Sequence, residues 1–226
     1  MTHLFLSDIT PLCNDSFFEF AYKGLPEDKK GKVDKLIFRK DKNLSVGSQF
    51  VLVYALEKQG YDFSRLIIKK KKNGKPYVEN ENVYFSLSHS GNMVLCGVSD
   101  FPIGVDIQEM TDYNPPVAKR FFKQNEQRAI SAAENSEDKK NMFFRIWTLK
   151  EAYAKMTGEG LGGFRNFEVV PEKGLLKSLS ELGCRLFEFE SDEYKIAASS
   201  KDWESDVQIH RVDIIECISM IAKSNP

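Results

Sequence analysis

Apolar residues recur at three- and four-residue spacing from Phe143 to Gly158, where Ile146, Leu149, Tyr153 and Met156 form the stripe of a predicted helix. Glu151 lies about 200° around that axis from Tyr153, with Lys155 one turn beyond it. Alternation of period two predicts strands over Leu4–Ile9, Leu66–Lys69, Val83–Leu87, Met93–Val98 and Ile103–Ile107. Further strands are expected at Phe164–Val170, Arg185–Glu190, Tyr194–Ser199 and Val207–Ile214. Helical patterns cover Ser16–Lys23, a stretch capped by Ser45 or Ser48 that ends before Gly60, Pro115–Phe122 and Asn125–Ala133. The segment from Leu25 to Phe38 is expected to carry Leu36, Ile37 and Phe38 inward. Asn73-Gly74 marks a turn. GEGLGG at 158–163 lacks the arrangement of a nucleotide loop and reads as a helix stop and hinge.

Seventeen Phe and eight Tyr among 226 residues can fill one substantial core or two lobes. MVLCGVSD leading to GVDI echoes YKIAASSKD leading to RVDI, which suggests two similar lobes meeting near 101–105. The net charge of -1 does not call for nucleic acid or an anionic membrane as partner. Locally the balance is basic: eight cations against four acids lie between Lys23 and Lys42, and Lys69–Lys72 with Lys75 form a second group. The four cysteines have no metal-ligand spacing, which fits free thiols in a reducing compartment. There is no basic leader and no 18-residue apolar run, so a cytoplasmic protein is expected.

Glu151 with Lys155 alone would be an ordinary surface pair worth ~0.2–0.5 kcal/mol. Two upstream stretches change that. Ser86, Ser88 and Ser90 alternate with Leu87 and His89 before Gly91, a turn suited to an oxyanion or phosphate. Asp106 and Gln108 share one face of a strand whose Val105 and Ile107 point into a core. Asp106 and Glu151 are hard oxygen ligands for magnesium, Lys155 can neutralise a transferring phosphoryl group, and His89 with the lysines of the first half can hold further phosphates. The chemistry indicated is phosphoryl-type transfer on a multiply phosphorylated ligand.

GKPY (74–77), FSLSHSG (85–91), IGVDI (103–107), AKRFF followed by Glu126, and WTLKEAYAKMTGEGL (147–161) together resemble the 4'-phosphopantetheinyl transferases of the surfactin-synthetase-activating type. The resemblance covers essentially the whole chain. It implies a pseudo-twofold, duplicated α+β fold, with residues 1–102 and 103–226 as the two lobes and the site in the cleft between them. It also implies magnesium-dependent transfer of phosphopantetheine from coenzyme A to a serine of an apo acyl or peptidyl carrier protein, with manganese as an alternative ion and 3',5'-ADP as the product. Under it Asp106 and Glu151 bind the metal, Glu151 helps take the serine proton, and Lys155 assists at the phosphate. Lys75 and His89, with Ser88 beside them, would contact the nucleotide end.

Gln108 stands where well-known members have Glu, so the third metal position carries no charge. The upstream phosphate lysines fall near Asp28 and Gly31, leaving Lys29, Lys30 or Lys32 as substitutes. Lys42 stands beside Asn43, where a basic residue is expected. Exposed apolar residues after Pro115 and in 121–134, with Lys119, Lys123 and Arg128, would meet the acidic carrier, and one of Phe121 and Phe122 is expected in the core. A monomer is expected. The competing readings are a non-catalytic coenzyme A or carrier-binding module and a magnesium-dependent phosphodiesterase.

Overall fold

The computed structural model describes residues 1–165, 167–169, 183–189, 191, 193–204 and 206–224. Its first half runs β1 (Thr2–Asp8), α1 (Asp15–Lys23), α2 (Glu27–Val33), α3 (Arg39–Lys58), β2 (Ile68–Lys70), β3 (Pro76–Val78), β4 (Tyr84–Ser90) and β5 (Met93–Ser99). The second half supplies β6 (Ile103–Glu109), α4 (Pro115–Phe121), α5 (Gln124–Ser131), α6 (Ser136–Thr157), β7 (Arg185–Phe189), β8 (Tyr194–Ser200), β9 (Val207–Arg211) and α7 (Ile214–Ser224).

Two antiparallel trios of strands correspond. One runs β4-β5-β1 and the other β7-β8-β6, each with a long helix, α3 or α6, inserted between its first strand and its hairpin. The sequence echo places β5 on β8, the middle strand of each trio. The fold is therefore the two-lobed, duplicated α+β arrangement. Its lobes exchange one segment: β9 pairs parallel to β1, and Ile214, Cys217 and Ile218 of α7 enter the core beneath α3. The end of the described chain thus packs with the first lobe, where the apolar face of α7 finds its partner.

Period-two alternation explains the layers. Phe5 of β1 faces the first-lobe core with Phe50 and Tyr54, while Leu4 and Leu6 face the second sheet. Ile103, Val105 and Ile107 of β6 meet them there. Residues 104, 106 and 108 consequently point toward α6. At Gly104 the helix comes so close that a Cβ would overlap the Ala152 carbonyl oxygen and the Met156 nitrogen.

The lobes also meet along a seam of hydroxyls. Ser86 Oγ accepts from Val105 N–H at 3.1 Å, Ser88 Oγ from Ile107 N–H at 3.3 Å, and Ser90 Oγ from Glu109 N–H at 2.9 Å. The alternating serines of β4 thus satisfy the alternate N–H groups of β6 that β8 does not reach. They form a joint between the lobes.

Three expectations change. Helix α3 starts at Arg39, six residues before the expected Ser45 cap. Ile37 and Phe38 are 86% and 69% exposed rather than inward, because α2 ends at Val33 and the connection to α3 runs over the surface. The expected strand at 164–170 is instead a 3-10 turn through Arg165, followed by irregular chain at 167–169; Val170, like Glu190, lies outside the described residues. The physical reason is Lys150. Its ammonium, fully buried, accepts no strand geometry from its neighbours but draws in the Phe164 carbonyl at 2.7 Å and the Phe167 carbonyl at 2.9 Å. Among the described residues, no helix is long and apolar enough to cross a membrane.

Lys150 also pairs with Glu126 at 2.8 Å, both side chains 0% exposed. Glu126 in turn accepts the Lys123 and Val169 N–H groups, each at 2.7 Å, so the pair ties α5, α6 and the 164–169 segment together. Lys150→Met leaves that carboxylate buried without its cation and should cost ~3–5 kcal/mol in urea unfolding. Adding Glu126→Leu should recover part of the loss; a double variant less stable than Lys150→Met would contradict this account.

Candidate active site

Asp106, on the helix-facing side of β6, is 1% exposed. The fold brings Lys155 of α6 to it: Lys155 Nζ lies 2.6 Å from Asp106 Oδ1 and donates to Ser88 Oγ at 2.7 Å. Ser88 donates its own proton to Asp106 Oδ1 at 2.8 Å while accepting from Ile107 N–H. The hydroxyl's one proton and two lone pairs are all in use, so Ser88 positions Asp106 and Lys155 instead of reaching for a ligand. Gln108, two residues along the same face, donates from Nε2 to Asp106 Oδ2 at 3.0 Å.

Glu151, one turn before Lys155, lines the same cleft. No hydrogen bond to its carboxylate is present among the described residues. Burial raises its pKa above the usual carboxylate range, and the Asp106 charge adds to the effect against the opposing pull of Lys155. Two carboxylates and an amide oxygen fit a magnesium ion, which needs only one or two protein carboxylates when phosphates and waters complete its shell. A cation between Asp106 and Glu151 would relieve the repulsion that raises the Glu151 pKa. Among the described residues no three His, Cys, Asp or Glu side chains gather as a cation site, in keeping with Gln108 at the third position.

The cleft has a volume of about 1090 Å³ and joins this cluster to a second, basic one. Lys29, Lys32 and Lys70 line it. Burial lowers the Lys29 pKa, with Lys32 and Lys70 contributing repulsion against the opposing pull of Asp28, which pairs with Lys32 at 3.6 Å and lines the cleft as well. His89 also lines the cleft; partial dehydration, then the nearby Lys155, hold its pKa below the usual imidazole value. Apolar wall is supplied by Leu36, Leu44 and Phe63.

The sequence-predicted residues Asp106, Gln108, Glu151, Lys155, Ser88, His89, Lys29 and Lys32 are therefore brought to one cleft. Lys42 and Lys75 are not among its lining residues. Lys75 instead donates to two main-chain carbonyls, those of Met156 and Ile103. Sequence reasoning missed one lining residue, Lys70, and one buried cation outside the cleft, Lys150. Lys70 was one of a run of four lysines with nothing to single it out. Lys150 did leave a signal, a cation four residues after Ile146 and thus inside the apolar stripe.

Comparison with known proteins bears on both lobes. The family described as 4'-phosphopantetheinyl transferase, N-terminal, matches residues 11–99, and the 4'-phosphopantetheinyl transferase superfamily matches 102–209. Among similar proteins, the 4'-phosphopantetheinyl transferase gsp of Aneurinibacillus migulanus is 30% identical over 64% of this chain and 60% of its own length. The 4'-phosphopantetheinyl transferase psf-1 of Bacillus pumilus is 27% identical over 88% of this chain and 87% of its own. For 4'-phosphopantetheinyl transferase Sfp of Bacillus subtilis (strain 168) the figures are 28%, 66% and 65%. The matches to gsp and Sfp thus span less than two thirds of those relatives' lengths.

The Glu151 environment predicts a pH dependence. Its folded pKa lies above the ordinary 4.5, so between those two values the folded protein holds more of this proton than the unfolded chain does. Stability from this group is present below pH 4.5 and is lost as pH rises through the folded value. Unfolding by urea in a chelator, across that range, should show a decline in wild type that Glu151→Gln removes. An identical decline in the variant would refute the assignment.

Proposed function

We propose that this chain is a 4'-phosphopantetheinyl transferase, a reading supported by the two matches at 11–99 and 102–209, and that it transfers phosphopantetheine from coenzyme A to a serine of an apo acyl or peptidyl carrier protein. We further propose the surfactin-synthetase-activating subtype, supported by both family matches lying on one chain and by the order of the motifs. One observation carries the chemistry: a single cleft holds Asp106, Glu151 and Lys155 together with the separate lysine cluster of Lys29, Lys32 and Lys70. Coenzyme A has phosphates at two places, a pyrophosphate and a 3'-phosphate, and so matches two cationic stations. A simple binding module would have no use for the half-buried acid of Glu151, which accepts no hydrogen bond among the described residues.

In this mechanism Lys29, Lys32 and Lys70 hold the 3'-phosphate end and His89 bonds along the nucleotide. Lys155 lies where charge accumulates on the pyrophosphate. The carrier serine oxygen attacks the phosphorus next to the pantetheine arm, its proton passes to the Glu151 carboxylate, and the bond to the bridging oxygen breaks to release 3',5'-ADP. Burial, then the Asp106 charge, raise the Glu151 pKa above 4.5, which strengthens the carboxylate as a base. Asp106 and Glu151, with the Gln108 amide oxygen, would hold magnesium, which supplies positive charge to the pyrophosphate when bound. With two carboxylates rather than three, metal affinity should depend strongly on coenzyme A. Carrier docking is assigned to α4 and α5, where Lys119, Arg120 and Arg128 are exposed beside the partly exposed Phe121, and Phe122 is the core member of that pair.

Incubation with coenzyme A and a purified apo carrier should produce a mass gain of one phosphopantetheine. Glu151→Gln should lose transfer by ~10²-fold or more, the scale of a general base, while staying folded, and Gln108→Glu should retain transfer and lower the magnesium concentration for half-activity. Full transfer by Glu151→Gln would overturn the mechanism, and no mass gain with any carrier class would overturn the function. In the same assay, charge reversal at Lys119 and Arg128 should raise the carrier KM more than the coenzyme A KM; equal effects would remove carrier docking from α4 and α5.

A further inference from the structure

The β2–β3 hairpin has three residues in each strand and joins neither large sheet. A two-stranded hairpin is marginally stable alone in water, so something must hold it. Within the hairpin the Lys69–Glu79 pair is half exposed and weak support. The stronger attachment is at its turn, which sits on the C-terminal end of α6.

Helix α6 stops at Gly158, whose φ of 82° is left-handed, and its last carbonyls have no partners within the helix. The hairpin turn supplies them. Lys75 Nζ donates to the Met156 carbonyl at 2.8 Å and to the Ile103 carbonyl at 3.2 Å. Asn73 Nδ2 donates to the Gly158 carbonyl at 2.7 Å, and Asn73 Oδ1 accepts the Lys75 N–H at 3.2 Å. An ammonium at a helix C-terminus also meets the negative end of the helix dipole. Burial, with Lys71 nearby, lowers the Lys75 pKa to about 8, as expected for a cation enclosed by main chain. The same short hairpin presents Ile68, Lys70 and Pro76 to the cleft, whereas Lys75 faces away from it.

We infer that Lys75 is a positioning residue: it hangs the cleft-lining β2–β3 hairpin of the first lobe on the C-terminus of α6 and the start of β6, fixing Lys70 and Pro76 relative to Lys155. The inference rests on the transferase reading for its ligand, coenzyme A, and on nothing but contacts for the attachment itself. It differs from direct phosphate binding by Lys75 in what it requires of the free protein. If Lys75 held a phosphate, its loss would leave the empty hairpin as it was. As an attachment, its loss loosens the hairpin before any ligand arrives.

Amide hydrogen exchange of residues 68–78 in the ligand-free protein reads this directly. In Lys75→Met these amides should exchange about tenfold faster, the effect of ~1.4 kcal/mol of local stability, and Asn73→Ala should move them the same way by less. Lys75→Arg, which keeps the cation and its donors, should recover most of the protection. Calorimetry with coenzyme A should show affinity falling in step with the lost protection in Lys75→Met and Asn73→Ala, and recovering with it in Lys75→Arg. Unchanged exchange in Lys75→Met and Asn73→Ala would overturn the inference, whatever happens to coenzyme A affinity. Should Lys75→Met fail to fold, Asn73→Ala decides alone. Failure of the wild-type protein to bind coenzyme A would count against the proposed function and leave the exchange result standing.

Discussion

The close approach of α6 to β6 at Gly104 sets the distance on which the candidate site depends. Backbone meets backbone there, with no side chain between, so the helix cannot shift without lifting off the sheet. Two residues further along the strand Asp106 occupies the same face, and Lys155 comes down from the helix to meet it at 2.6 Å. A larger residue at 104 would separate the carboxylate from both Glu151 and Lys155. The glycine of IGVDI is therefore as much a part of the chemistry as the aspartate that follows it.

Three lysines around this helix show how differently a buried ammonium can be satisfied. Lys150 is held by a carboxylate and two carbonyls, with the Phe167 ring 4.4 Å away. Lys155 has a carboxylate and a hydroxyl and keeps 30% of its side chain exposed to the cleft. Lys75 has carbonyls alone. Of the three, Lys155 is the one whose ammonium also lines the cleft. Desolvation is costly for each of them, and the partners that offset it cross between elements far apart in sequence. The cations thereby fix tertiary relations that apolar packing alone would specify less narrowly.

Much of this was legible in the sequence where it depended on local periodicity. The alternation through 103–108 separated Asp106 from the core-facing Val105 and Ile107, and the helical pitch put Glu151 and Lys155 on a common side. The echo between 93–100 and 194–202 carried the duplication. What escaped was set by relations between lobes. Nothing local says which way the hydroxyls of Ser86, Ser88 and Ser90 point, since that depends on β6 lying alongside. Ile37 and Phe38 read as core because hydropathy does not reveal that a chain reversal will strand them outside. The return of 207–224 to the first sheet was hidden for the same reason: parallel pairing with β1 spans some two hundred residues and leaves no short-range trace.

The serine seam has a consequence for how this molecule behaves toward other copies of itself. Strand β6 is at the end of its sheet, and an unpaired row of N–H groups is an invitation for another extended chain to dock and extend the sheet. Charged side chains or proline commonly discourage this, but Asp106 and Gln108 are turned to the cleft and Ile103, Val105 and Ile107 to the core. Hydroxyls on a neighbouring strand cover the donors at 105, 107 and 109 instead. The joint between lobes is thus also what closes the open edge of the second sheet, leaving residues 103–107 buried.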